Sequence, residues 1–191
     1  MISLAKHLAF FLSVASLTSA NHLFTLVNRC GFGVNMSIDN WSRTPYTGPQ
    51  PPTIAAGQSW STTIPSGWDG RICDNRNCYT GGSITEFNLD TGNCTLSKDV
   101  SLPLYRRAHA AYSLVYTPQA YDISNINGFS VGQQIDVPGC DTVTCASSSC
   151  PCNQAYPPGN LAGTCPNEGT IDNPVRGCGA GNIAFTIVYC P

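Results

Sequence analysis

Tyr121 to Val131 reads Y-D-I-S-N-I-N-G-F-S-V. It sets a carboxylate among β-branched and aromatic residues. It also separates a cysteine-poor first part of the chain from a short, cysteine-crowded part. Asp122 is the one carboxylate in it.

Working outward, Leu23 to Asn28 alternates branched and polar residues and reads as a strand, and Ile183 to Tyr189 reads as the strand that closes the chain. Between them, Val34 to Ile38 reads as a partner for the first strand, and Gly57 to Ile64 as another strand. Residues 41 to 57, with four prolines, form a loop, and Pro65 to Gly70 a turn. Arg71 to Cys94 reads as a pinned loop with one brief strand, Ile84 to Leu89; Tyr112 to Tyr116 has strand alternation. Val137 to Gly181 holds six cysteines among Pro, Gly, Ser and Asn, a loop-rich region held by bridges.

Residues 1 to 20 have the layout of a signal peptide. Lys6 and His7 precede an apolar run from Leu8 to Leu17, and Thr18-Ser19-Ala20 is a small-residue cleavage site. The expected product is one domain, 21 to 191, secreted to an extracellular, oxidising compartment. All 11 cysteines lie in it, so a disulfide framework follows, with one thiol left over or paired between chains. Loss of Lys6 leaves 8 basic against 11 acidic residues, a net charge of −3 with no basic patch, which argues against nucleic acid and anionic membrane as partners. The sequons Asn35-Met-Ser37, Asn40-Trp-Ser42 and Asn93-Cys-Thr95 are acceptor patterns for N-glycans, and Asn35 and Asn40 are the better candidates because Cys94 crowds the third.

Four motifs carry a family resemblance: F-T-L-V-N-R-C at 24 to 30, G-Q-S-W at 57 to 60, the opening stretch, and F-T-I-V-Y-C-P at 185 to 191. Together and in this order they resemble the thaumatin-like proteins, pathogenesis-related family 5, in a small form with a trimmed second domain. The resemblance implies an all-β fold, a flattened sandwich of antiparallel strands with disulfide-rich loops. It also implies the pairs Cys30–Cys190, Cys140–Cys178, Cys145–Cys165 and Cys78–Cys94, with Cys73, Cys150 and Cys152 unassigned. A metal or redox reading of Cys150-Pro-Cys152 has little behind it, so no metal or cofactor is expected.

Larger relatives have an acidic cleft thought to bind or slowly hydrolyse β-1,3-glucan, and hydrolysis needs two carboxylates. Asp122 falls on one of the family's aspartates, and Asn127 replaces the next. The glutamate falls either on Ala111, which its usual distance from Asp122 favours, or on Glu86 in T-E-F-N-L, which fits locally but would require a large insertion in the sheet. Arg71 or Arg76 would supply the basic group, and Asp172 the last acid. Trp60 reads as core, whereas Trp41 and Trp68 read as loop residues able to touch sugar. The expected function is a secreted, monomeric, non-catalytic binder of cell-wall β-1,3-glucan or of a protein target, possessing ligand contacts at Trp68, Arg71, Asp122 and Asn127. One alternative is a weak glucanase with Glu86 as acid and Asp122 as nucleophile. Another is a glycanase inhibitor contacting its target through Thr95 to His109, with Arg106 and Arg107.

Overall fold

The computed structural model describes residues 21–41, 44–74, 78, 81–91, 119–159 and 174–191. Ten strands fill these residues: β1 Asn21–Asn28, β2 Met36–Asn40, β3 Ser59–Pro65, β4 Asp69–Asp74, β5 Ile84–Leu89, β6 Gln119–Ser124, β7 Gln133–Asp136, β8 Val143–Cys145, β9 Arg176–Cys178 and β10 Phe185–Tyr189. They form two five-stranded sheets, ordered β3-β1-β10-β7-β8 and β2-β4-β5-β6-β9. The all-β class follows, as expected. One pairing departs from the antiparallel rule: β1 and β10 run parallel, with Phe24 opposite Phe185 and Asn28 opposite Tyr189.

Alternation explains which faces meet. β1 buries Phe24 and Leu26 and turns Leu23 outward, while β6 sends Tyr121 and Ile123 inward and Asp122 to the other side. Between the sheets Phe24, Phe87 and Phe185 form a tight aromatic group, each ring centroid 4.9–5.4 Å from the others. Burying such rings supplies the largest apolar contributions of the core.

Three expectations are corrected. Met36–Asn40 does not pair with β1; it joins the opposite sheet beside β4, because Met36 and Ile38 fill the core from that side. Residues 69–74 are not loop: D-G-R-I-C-D has little apolar content, yet both of its faces are covered, so the segment is an interior strand. The region from 137 to 181 contributes the short strands β8 and β9. The strand expected at Tyr112 to Tyr116 lies outside the described residues. Edge strand β2 is closed to further pairing by Gln50, whose side-chain amide donates to the Ile38 carbonyl at 2.8 Å and accepts from its N–H at 2.9 Å.

The disulfides Cys30–Cys190 and Cys140–Cys178 form as the resemblance implies. The other two implied pairs do not. Cys78 bonds Cys73 instead of Cys94, and Cys145 bonds Cys150 instead of Cys165, each closing a five-residue separation. Cys152 is also disulfide-bonded, so all nine described cysteines are oxidised and Cys150-Pro-Cys152 is not an internal redox pair.

Candidate functional site

The outer face of the second sheet carries the charge. Directly opposed residues on neighbouring strands share a face, with Cβ atoms about 4.5–5.5 Å apart. The register places Asp39 of β2 opposite Arg71 of β4, Arg71 opposite Glu86 of β5, and Glu86 opposite Asp122 of β6. One row, Asp39–Arg71–Glu86–Asp122, thus crosses four strands. Glu86 and Asp122 are immediate cross-strand neighbours. Their sequence separation of 36 does not interrupt the sheet, because β5 runs on to Leu89 and β6 begins at Gln119, at the end of the strand pair. That removes the objection to Glu86; Ala111 lies outside the described residues.

Access to the row is graded. Asp39 and Trp41 are half-buried, Arg71 and Glu86 are 8% and 7% exposed, and Asp122 is fully buried. The Arg71 guanidinium lies 4.1 Å from the centre of the Trp41 ring, and its Nη1 is 3.8 Å from Glu86 Oε1. The arginine is therefore held from both sides, by a cation–π stack and an ion pair. Burial pushes the Glu86 carboxyl up to about 7, with Arg71 opposing and Asp69 reinforcing the rise. Burial also raises Asp39, again against Arg71.

The raised Glu86 value has a measurable consequence. In the unfolded chain the carboxyl returns to its ordinary 4.5, so between that pH and about 7 the native state keeps a proton that the unfolded state has released. Stability accordingly falls as pH rises through this window. Urea unfolding at the two ends of the window is expected to differ by on the order of 1–3 kcal/mol, and Glu86→Gln is expected to flatten the slope. A wild-type slope retained in the variant would show that other groups set it.

Not all expected site residues gather here. Trp68 is corrected: it is a core residue, 6% exposed, edge-on to Phe24, stacked with Phe87, and donating its indole N–H to Asn40 Oδ1 at 3.0 Å. Turn-forming neighbours made it look like loop, but the indole folds back under the sheet. Gly70 makes room for it, since a Cβ there would sit 2.3 Å from the Trp68 ring and 2.4 Å from the Asp39 carbonyl. Trp60 is only partly buried, packed at the margin of the core. Asn127 is exposed in the turn after β6, outside the row. Its Nδ2 donates to the Cys78 carbonyl at 3.3 Å and its carbonyl accepts from Gly81 N–H at 2.8 Å, which clamps the 78–81 loop to that turn.

Asp39 escaped the sequence reading. The signal was present in M-S-I-D-N, whose alternation sets Ser37 and Asp39 on the face opposite Met36 and Ile38. Arg76, Asp172 and the Thr95 to His109 segment with Arg106 and Arg107 lie outside the described residues.

Comparison with known proteins agrees with this architecture. A rice thaumatin-like protein (Oryza sativa subsp. japonica) is 29% identical over 88% of this chain and 84% of its own length. The oat (Avena sativa) thaumatin-like pathogenesis-related protein 4 is 29% identical over 75% of this chain and 80% of its own. In fold, the chain is similar to the crystal structure of the protein elicitor MoHrip2 from Magnaporthe oryzae, with a TM-score of 0.50 and 16% identity over 89% of this chain and 99% of that one. The family model described as "Thaumatin family" matches residues 28–190, which takes in nine of the ten strands entire and the last residue of β1. With two sheets, the Cys30–Cys190 bridge and the closing strand all within that match, the chain belongs to the thaumatin family.

Proposed function

We propose that this is a secreted defence protein that binds cell-wall β-1,3-glucan through the Asp39–Arg71 end of the charged row without cleaving it. The observation that carries this reading is the strand register, which lines Asp39, Arg71, Glu86 and Asp122 up across one face. Sugar hydroxyls both donate and accept, and a row alternating carboxylate and guanidinium answers both roles. Trp41 adds an aromatic surface beside it. The pathogenesis-related naming of the oat relative and the oxidised cysteines support the defence setting and secretion, with residues 1–20 as the leader.

Binding without cleavage follows from depth. Asp122, which would have to attack the sugar, is 0% exposed and too enclosed to meet a glycosidic bond, whereas Asp39 at the other end of the row is half-buried. Co-sedimentation with insoluble β-1,3-glucan tests the reading. Arg71→Ala is expected to weaken retention about tenfold, the size of one lost charged contact. Wild-type retention no higher than that of an unrelated secreted protein would overturn it.

A second reading rests on a separate observation. Glu86 and Asp122 are directly opposed on neighbouring strands, which supplies the two adjacent carboxylates that glycoside hydrolysis uses, and a glutamate raised to about 7 can hold the proton a general acid needs. In this reading Glu86 is the acid and Asp122 the nucleophile of a slow endo-β-1,3-glucanase. Release of reducing sugar from laminarin, abolished in Glu86→Gln, is its expected result; no release by the wild type ends it.

A further inference from the structure

Two sequon asparagines, Asn35 and Asn40, are among the described residues, and their side chains are in opposite situations. Asn40 is locked. Its Nδ2 donates to Thr44 Oγ1 at 3.1 Å and to the Pro45 carbonyl at 3.3 Å, and its Oδ1 accepts the Trp68 indole N–H. Both amide protons and the carbonyl are thus committed, and the sites beyond Nδ2 are filled by the turn that follows β2. A sugar on this nitrogen would displace that turn and loosen the tryptophan.

Asn35 is open. It is exposed just before β2, and its Nδ2 makes no hydrogen bond to the described residues. Among the described residues its side chain engages Thr53, whose Oγ1 donates to Asn35 Oδ1. N-glycosylation consumes a proton of Nδ2 and leaves Oδ1 an acceptor, so that bond survives the modification. Asn35 also stands four residues from Asp39, roughly 13 Å along an extended strand, so its attachment atom is not among the row's own contacts.

We propose that Asn35 is an N-glycosylation site of the native protein and that Asn40 is not. In the transfer, Asn35 Nδ2 bonds to the anomeric carbon of a lipid-pyrophosphate-linked oligosaccharide, the bond from that carbon to the pyrophosphate oxygen breaks, and Nδ2 gives up one proton; nothing is oxidised or reduced. Attached at the start of edge strand β2, the glycan extends into solvent and adds cover to that edge. The inference rests on secretion but not on the glucan reading.

The test is site-by-site occupancy. The full chain is expressed in a eukaryotic secretory host, and secreted material is mapped by peptide mass spectrometry before and after enzymatic removal of N-glycans, which converts each occupied Asn to Asp. The Asn35 peptide is expected to be occupied and the Asn40 peptide bare. Asn35→Gln and Ser37→Ala should each remove that glycan, whereas Asn40→Gln should keep it and lower the unfolding midpoint. Glucan co-sedimentation of the Asn35→Gln protein should equal that of the wild type. Secreted protein bare at Asn35, failure of the chain to enter the secretory pathway, or folded secreted protein carrying sugar at Asn40 would overturn the proposal.

Discussion

Replacing Cys30 and Cys190 together by alanine is expected to lower stability by about 5 kcal/mol, on the chain-entropy estimate for a loop of this length. The bridge spans a separation of 160 residues, so it restricts nearly the whole unfolded chain. Small domains have about 5–15 kcal/mol in total, so the variant is expected to unfold at markedly lower denaturant. A second variant isolates a local effect. Cys190 has a φ of 54°, a left-handed conformation that costs an L residue about 1 kcal/mol or more, and its N–H donates to the Gly132 carbonyl at 2.8 Å. Cys30→Ala with Cys190→Gly should therefore recover some of the loss. Urea midpoints of the three proteins decide the matter: a loss below about 1 kcal/mol in the double alanine variant would contradict the entropic account.

Trp68→Ala is expected to cost about 3–5 kcal/mol, the range for emptying a large aromatic site in a packed core. The ring's neighbours are fixed on both sheets, Phe24 on one and Phe87 on the other, so the cavity cannot collapse easily. The change also leaves Asn40 Oδ1 without the indole proton. Trp68→Phe keeps much of the packing and should lose less. The folded fraction of Trp68→Ala should still sediment with glucan as the wild type does, because the side chain faces the core and not the charged row. Stability within 1 kcal/mol of wild type, combined with lost glucan retention, would return Trp68 to the ligand contacts.

Much of the fold was legible because alternation reports one-sided burial directly. β1 and β3 carried that signal, β5 and β10 were marked by their β-branched and aromatic residues, and β6, buried along its whole length, only by the family motif that contains it. β4 carried no such signal, since a strand covered on both faces by polar and apolar neighbours need not alternate. The parallel β1–β10 pairing and the placement of β2 in the second sheet depend on contacts far apart in sequence. In the site, Glu86 was misjudged because separation along the chain was used as a measure of separation in space, and a strand pair tolerates a connection of any length at its end. Trp68 was misjudged for the converse reason: its neighbours in sequence are turn residues, but its neighbours in space are aromatic. The short Cys73–Cys78 and Cys145–Cys150 bridges had no sequence signal that distinguished them from the longer alternatives.

The parallel pairing of the first and last strands also sets the order in which the molecule can be assembled during synthesis. β10 lies between β1 and β7 at the middle of its sheet, and it follows the other nine strands in the chain. Until β10 has been made, β1 and β3 can pair, as can β7 and β8, but the two halves have no strand between them. The second sheet, whose members span 36 to 178, can close earlier. Final closure of the core, and formation of the Cys30–Cys190 bond with it, must therefore wait for β10.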